Sequence, residues 1–177
     1  SQPSVNAAGL IVFQGRASGS TVVHGIYGRD MLAATPPFNI TGMGTAVPPP
    51  NNTFYNGVLA SFEAFPSVPR IDTSSPAMAV RGQSLPVYTY LLGATETRVG
   101  TSGVYANPGG TLLTGASLLG AVLEGGTLTF PHYSVPGATA GTRFDQFPGA
   151  ATITNGSVIA YKGNYTETVT AAIFAYR

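Results

Sequence analysis

The 177-residue sequence contains no cysteine and no tryptophan, and it has only two histidines. Without cysteine the chain has neither disulfides nor thiolate metal ligands. His24 and His132 are isolated, with no second histidine or glutamate at a metal-ligand spacing, so each is interpreted as a structural residue. We therefore expect no metal site, no cofactor and no catalytic residue.

Charged residues are also scarce, at 8% of the chain, against roughly 25% in an average soluble domain. The net charge is +1, and the seven arginines and the single Lys162 are scattered. They form no basic stripe that could neutralise a run of phosphates, so nucleic acid is not an expected partner. No apolar run approaches the roughly 18–20 residues that a membrane-spanning helix needs, and we expect no transmembrane segment.

Signatures of the common hydrolases are missing as well. A serine hydrolase of the Gly-x-Ser-x-Gly type has no counterpart in the sequence. Glu63 and Asp145 occupy equivalent places in a repeated motif, which explains them better than a pair of glycosidase carboxylates would. The sequence predicts a protein that is not an enzyme, although a triad assembled only in three dimensions stays open.

Short β-branched or aromatic segments, bounded by glycine, proline, asparagine or serine, make up most of the chain. They predict strands over residues 10–13, 21–24, 58–62, 77–80, 87–90, 127–130, 157–161 and 172–176. The pairs Asn56-Gly57, Gly109-Gly110, Gly125-Gly126 and Asn155-Gly156 are typical of tight turns. Residues 112–123 are interpreted as strand and turn because Gly115 and Gly120 disfavour a helix. The pattern predicts one all-β domain over residues 1–177, with antiparallel sheets in a sandwich or propeller-like array and little or no helix.

Internal repetition is the most informative feature of the sequence. Phe62-Glu-Ala-Phe65-Pro66 recurs as Phe144-Asp-Gln-Phe147-Pro148, and each copy is followed by an apolar strand that ends in a basic residue and glycine. A small residue, an apolar residue and an aromatic residue then follow, as in Gly25-Ile26-Tyr27, Gly103-Val104-Tyr105 and Ala172-Ile173-Phe174. These segments indicate about three degenerate repeats, each a small sheet that buries its faces against its neighbours. A bulge or a bend at the proline would let both phenylalanines of each motif face the core.

The segment Asn6-Ala-Ala-Gly9-Leu-Ile-Val12-Phe13, followed by Gly25-Ile26-Tyr27, resembles secreted bacterial tandem-repeat proteins with an Asn-x-x-Gly-x-x-Ala-Phe signature. Val12 stands where that signature has alanine, and the later units lose the Asn and Gly spacing. The resemblance implies an extracellular, propeller-like β repeat with no catalytic residues. Three units would be few for a closed propeller, whose blades usually number four or more.

Four Asn-x-Ser/Thr sequons begin at Asn39, Asn51, Asn155 and Asn164. In a secreted eukaryotic protein each would be a candidate N-glycosylation site on the surface. The run Pro48-Pro49-Pro50-Asn51-Asn52 predicts a surface connection, because proline donates no hydrogen bond to a sheet. We expect a secreted or cell-surface protein.

Two functions fit this class. The first is a structural or self-assembling surface protein, a filament, sheath or matrix subunit, which associates through its uncharged terminal β segments at residues 10–13 and 171–176. Those segments could equally pair with each other inside one subunit. The second is a secreted carbohydrate-binding or adhesive module that uses tyrosine and phenylalanine faces, although tryptophan, the usual sugar platform, is absent.

Overall fold

A computed structural model describes residues 2–17, 23–52, 54–55, 58–85, 88–92, 95–99, 102–118, 122–124, 127–129, 135–139, 142–165 and 170–176. The elements in chain order are β1 (Ser4–Val5), β2 (Leu10–Ala17), β3 (Val23–Asp30), β4 (Phe38–Gly42), β5 (Phe54–Tyr55), β6 (Val58–Leu59), β7 (Ser61–Ala64), β8 (Arg70–Ile71), β9 (Met78–Leu85), β10 (Tyr88–Leu92), β11 (Thr95–Val99), β12 (Gly103–Ala106), a 3₁₀ turn (Pro108–Gly110), β13 (Leu113–Ser117), β14 (Val122–Glu124), β15 (Thr127–Thr129), β16 (Phe144–Gln146), β17 (Thr152–Thr154), β18 (Val158–Tyr165) and β19 (Thr170–Tyr176).

Three antiparallel sheets follow one another along the chain. The first sheet has the order β1-β2-β3-β4, and the second has the order β13-β12-β9-β7 with β8 also on β9. In the third sheet β16, β17 and β19 all pair with β18. The pairs β5–β6, β10–β11 and β14–β15 are two-stranded hairpins between or beside these sheets. The prediction of an all-β protein built from antiparallel sheets is confirmed, and within the described ranges no helix is long and apolar enough to cross a membrane.

The central strand pair has the same register in all three sheets. Its glycine-containing rung is Gly15↔Gly25 in the first sheet, Gly82↔Gly103 in the second and Gly163↔Ala172 in the third. Two residues away lie the rungs Phe13↔Tyr27, Val80↔Tyr105 and Tyr161↔Phe174. These are the segments that sequence repetition had singled out, so the repeated residues occupy matching places in their sheets.

The strands on either side of this central pair also meet it at equivalent residues in the different sheets. The outer pair β3–β4 shifts register between Ile26 and Tyr27, and β12–β13 shifts between Val104 and Tyr105. On the other side, β1, β8 and β17 meet the equivalent residues of β2, β9 and β18, through the rungs Val5↔Ile11, Ile71↔Met78 and Ile153↔Ile159. The register shifts of the first two sheets therefore lie at matching residues.

The repeated Phe-x-x-Phe-Pro motif forms the same bulge twice. Register shifts between Phe62 and Ala64 where β7 meets β9, and between Phe144 and Gln146 where β16 meets β18. Each bulge turns both phenylalanines of its motif inward, with ring centroids 5.1 Å apart for Phe62–Phe65 and 5.2 Å for Phe144–Phe147. The expectation that both rings face the core, through a bulge or bend, is confirmed.

Two hydrophobic cores lie between the three sheets, and each core joins two of them. One joins Val12 and Ile26 of the first sheet to Met78, Val80 and Tyr105 of the second. The other joins the opposite face of the second sheet to the third, through residues that include Ala79, Val104, Ala106, Phe144, Ile159 and Tyr161. We call the face that carries Met78, Val80 and Tyr105, and its register equivalents, the front face. The face that carries Ala79 and Val104, and their equivalents, is the back face. The back of each sheet therefore packs on the front of the next.

Most predicted strands and turns lie where the sequence places them. Residues 10–13, 77–80, 157–161 and 172–176 fall in or at the edge of β2, β9, β18 and β19, and the predicted strand and turn at 112–123 contains β13 and the start of β14. Asn155 and Gly156 both have positive φ, of 51° and 71°, as a tight turn requires. The predicted turns Asn56-Gly57 and Gly125-Gly126, and residues 21, 22, 87 and 130 of predicted strands, lie outside the described residues.

The prediction of a surface connection at residues 48–52 is wrong for its two inward-facing residues. Pro48 is buried and Asn51 is 0% exposed. The Nδ2 of Asn51 donates a 2.8 Å hydrogen bond to the Tyr105 hydroxyl, and its Oδ1 accepts one from the hydroxyl of Ser117. A buried polar side chain is stable when it is hydrogen-bonded, so this amide fastens the loop to the second sheet.

Candidate interaction surfaces

Side chains at matching register positions connect each sheet to the next. Gln14 in the first sheet donates through Nε2 to the carbonyl of Phe65, at 2.9 Å, in the second sheet's Phe-x-x-Phe-Pro motif. Arg81, its register equivalent in the second sheet, donates to the carbonyl of Gly149 just after the third sheet's motif, at 3.1 Å. Burial lowers the pKa of Arg81. The two interfaces therefore share a polar contact as well as an apolar core.

A second matching contact lies at the turns. Asn6 directly follows β1, and Asp72 directly follows β8. Asn6 Oδ1 accepts from the backbone N–H groups of Ala8 and Leu10, while its Nδ2 donates to the carbonyl of Ser75 in the second sheet's turn, at 3.0 Å. A short side-chain amide or carboxylate at this position can shape its own turn and still reach the next one.

The carboxylate of Asp72 also forms hydrogen bonds both within its own turn and to the turn of the next sheet. Its Oδ1 accepts from the backbone N–H groups of Ser74 and Ser75, and its Oδ2 accepts from the N–H of Gly156 in the third sheet's turn, at 2.8 Å. The Gly156 and Ser74 N–H donors, in that order, are the main reasons that the pKa of Asp72 is lowered, and they outweigh the cost of burying the charge. A metal or a proton is not needed to stabilise this buried carboxylate.

The front face of the first sheet differs from the other two in exposure, not in chemistry. Its residues Val5, Ile11, Phe13 and Tyr27 are apolar or aromatic, like their register equivalents in the second and third sheets. Val5 is 62% exposed, however, whereas its equivalents Ile71 and Ile153 are 7% and 4% exposed. Ile11, Phe13 and Tyr27 are partly exposed as well. An apolar sheet face of this kind marks an interaction site when it remains open to solvent.

Aromatic rings give this face a defined shape. Phe13 and Tyr27 stack with centroids 5.9 Å apart. Tyr27 lies across Gly15 and Gly25, so close that a Cβ on either glycine would come within 3.0 Å of the ring. Beside these rings is a shallow groove of about 460 Å³, whose lining includes Ile11, Phe13, Arg29 and Met31. The face is therefore an ordered surface with an apolar floor and one cation at its edge.

Among the described residues of β18, the back face of the third sheet is more exposed than its front face. Along β18 the residues Ile159, Tyr161 and Gly163 are buried, while Val158 and Ala160 are half-buried and Lys162 is exposed. Ala160 and Lys162 are the register equivalents of Ala79 and Arg81, which pack on the third sheet from the second. Among the described residues, no strand pairs with the outer edge of β19, where the first two sheets have β4 and β13.

The four sequons fall in different environments. Asn39 and Asn155 are exposed, in β4 and in the turn before β18. Asn164 is half-buried, and its Nδ2 donates to Oε1 of Gln146 at 3.3 Å. Asn51 is fully buried with Nδ2 bonded to Tyr105, so a glycan on that nitrogen would require the loop to leave its place.

The titratable residues do not gather into a metal site in the part of the chain described. No group of three or more histidine, cysteine, aspartate or glutamate side chains lies close enough to hold a metal ion there. His24 is half-buried in β3, and His132 lies outside the described residues. Glu63 and Asp145 sit in matching bulges of different sheets, as their places in the repeated motif predict.

Comparison with protein-family models, with curated proteins and with solved structures gives no match for this chain.

Sequence reasoning missed both open faces. Val5, Ile11, Phe13 and Tyr27 have the same residue character as the buried positions of the other sheets, so nothing in their pattern distinguishes them.

Proposed function

We propose that this chain is a non-catalytic, extracellular structural protein that assembles with other copies of itself. The observation that supports this most directly is the front face of the first sheet. At matching register positions, Ile71 of the second sheet and Ile153 of the third are buried, whereas Val5 of the first sheet is 62% exposed. A face so similar to two buried ones is better explained by a partner than by chance exposure.

The three sheets, on this proposal, are units of one repeat, stacked like the blades of an open propeller or a solenoid. Their common register and the paired contacts of Gln14 with Arg81, and of Asn6 with Asp72, support a repeat. In such arrays each unit contacts only its neighbours, so the terminal units expose the surfaces that inner units bury. The resemblance to secreted tandem-repeat proteins, and the scarcity of charge, fit a secreted or cell-surface subunit.

Association through the ends of the chain keeps its place in the proposal, but not by donation of residues 10–13. Those residues lie in β2, which has β1 on one side and β3 on the other. Removing them would dismantle the first sheet. The terminal β segments associate instead through the faces of the sheets to which they belong.

The test is the mass of the particles in solution as a function of protein concentration, measured by light scattering, with electron microscopy of the same samples. We expect mass to rise with concentration and regular oligomers or filaments to appear. A particle of one chain, 18.1 kDa, at every concentration would contradict self-assembly.

A carbohydrate-binding module is the second candidate, and one groove favours it. A groove of about 330 Å³ between the first two sheets is lined by Phe38, Asn39 and Asn107, among others. Phe38 is exposed, so an aromatic face stands beside amide groups that can form hydrogen bonds with a ligand. Binding to a glycan array that Phe38→Ala abolishes, in a chain that stays monomeric, would favour this function over assembly.

A further inference from the structure

We infer that the front face of the first sheet binds the back face of the third sheet of a second copy, so that copies stack head to tail. This inference rests on the proposed function and specifies its geometry. Among the described residues both faces are at least partly exposed in one chain, and inside the chain a front face is covered by a back face at each of two interfaces. The contact between copies would continue that series.

The two faces cannot meet within one chain. The first sheet packs on the front of the second sheet, and the third packs on its back. The second sheet therefore stands between them, and the open faces point away from each other. A third sheet that reaches the front of a first sheet must belong to another molecule.

The chemistry of the two faces is complementary in the way that the internal interfaces are. Within the chain, Ala79 and Val104 of one back face lie in the same core as Ile159 and Tyr161 of the next front face. At the ends, Ala160 holds the register position of Ala79. Ile11 and Phe13 hold the register positions of Ile159 and Tyr161. A small residue on one side would again meet large apolar residues on the other, which is how packed sheets interdigitate.

A polar contact would also be available to such an interface. Gln14 and Arg81 each reach a backbone carbonyl of the following sheet. Lys162 holds the same register position in the third sheet and is exposed. Its ammonium group therefore supplies a hydrogen-bond donor at this position of the back face.

Contacts of this type are heterologous, since two different surfaces meet. They produce a ring if the rotation between copies closes, and a filament if it does not. An isologous dimer, in which two front faces meet, is the competing arrangement. The two can be separated by blocking one face at a time.

The experiment uses Val5→Asp, which places a charge on the front face, and Ala160→Asp, which places one on the back face. Each variant should be a monomer by light scattering at concentrations where the unaltered chain assembles. An equimolar mixture should form dimers and nothing larger, because each variant keeps one intact face. The control is Leu113→Asp. Leu113 is an exposed apolar residue like Val5, at 50% exposure, but it lies on the edge strand of the middle sheet. Its substitution should leave assembly unaffected.

Several outcomes would overturn the inference. If Ala160→Asp alone forms dimers that Val5→Asp abolishes, the contact is between two front faces. If the unaltered chain assembles and Val5→Asp assembles equally well, the front face is not used, although the proposed function survives. If the unaltered chain is always a monomer, the proposed function fails and the inference with it. Circular dichroism checks that each variant folds, and Phe13→Ser and Ala160→Lys repeat the test with different substitutions.

Discussion

The carboxylate of Asp72 in the second sheet accepts a 2.8 Å hydrogen bond from the backbone N–H of Gly156 in the third. It is 1% exposed and also accepts two backbone N–H groups of its own turn. A single side chain thus organises one turn and attaches it to the next sheet. The neighbouring pair, Asn6 and Ser75, does the same between the first two sheets.

The stability of the protein should therefore fall in acid partly through Asp72. Its pKa is lowered in the folded chain, chiefly by the N–H of Gly156 and then by that of Ser74. A carboxyl group whose pKa is lower when folded contributes stability that is fully present above its unfolded pKa, about 3.9, and is lost as pH falls through the folded value. Urea unfolding at pH 7 and at points below pH 4 measures this loss. Asp72→Asn should lower stability at pH 7 and flatten the acid dependence. Glu63→Gln, at an exposed carboxylate, is the control and should change neither the stability at pH 7 nor its dependence on acid. If Asp72→Asn loses stability in acid as steeply as the unaltered chain, another group causes the acid sensitivity.

Truncation of the second phenylalanine of either motif should be costly and similar in the two copies. Phe65 and Phe147 are both 3% exposed, in matching bulges. Replacing a buried phenylalanine by alanine typically costs about 3–5 kcal/mol. Chemical denaturation of Phe65→Ala and Phe147→Ala measures it. Phe38→Ala, at an exposed ring, should cost clearly less. Equal stability of Phe147→Ala and the unaltered chain would contradict the packing described for the third sheet.

Gly82 should not tolerate even a methyl group. A Cβ there would lie 2.6 Å from Cε1 of Phe62 and 3.0 Å from Cε2 of Tyr105. Both rings are buried, so they would have to move within a packed core, at a cost of about 1–3 kcal/mol. Gly42→Ala is the matched control, because the nearest atom to its added Cβ, the carbonyl oxygen of His24, is 3.5 Å away. We expect the melting temperature to fall markedly for Gly82→Ala and little for Gly42→Ala.

Tyr105→Phe should destabilise the chain through Asn51. The substitution keeps the ring but removes the hydroxyl that accepts from the Asn51 amide. A buried donor left without a partner costs about 1–3 kcal/mol. Tyr27→Phe, at the register equivalent in the first sheet, is a suitable comparison because Tyr27 is partly exposed. If the two variants unfold at the same denaturant concentration, the hydrogen bond from the Asn51 amide contributes little to the stability of the folded chain.

Expression in a eukaryotic secretory pathway should separate the four sequons. Asn39 and Asn155 are exposed and should accept glycans without loss of the fold. In the folded chain a glycan has no space at Asn51, because its side chain is buried and its amide nitrogen donates a hydrogen bond to the Tyr105 hydroxyl. Peptide mass spectrometry reads the occupancy of each site. A glycan on Asn51 in correctly folded protein would show that the loop at residues 48–52 adopts another arrangement.

Much of the local structure could be predicted because it follows from local residue types. The Phe-x-x-Phe-Pro motif requires a bulge if both rings are to be buried, and Asn155-Gly156 favours positive φ. The equivalence of Gly25, Gly103 and Ala172 was visible as a repeated pattern, and their common register follows from it. Strand β4 was missed because Phe38-Asn-Ile-Thr-Gly42 is short and follows two prolines.

What could not be predicted depends on which surfaces meet. Asn51 looks like a surface sequon, and only the position of Tyr105 and Ser117 around it makes it a buried one. Val5 and Ile71 are equally apolar, yet one is exposed and the other buried, since exposure is decided by the neighbouring sheet and not by the strand. The interaction surface therefore appears only once the sheets are placed against each other.

The middle sheet lies between two hydrophobic cores, and this position affects the order in which the sheets unfold. Among the described residues, both faces of the middle sheet contribute to a hydrophobic core, whereas the first and third sheets each contribute to one. In a stack whose units contact only their neighbours, unfolding proceeds from the ends inward. Amide hydrogen exchange should therefore be slowest for β9 and β12 and faster for β2 and β18, and the ends should become as slow as the middle whenever a second molecule covers them.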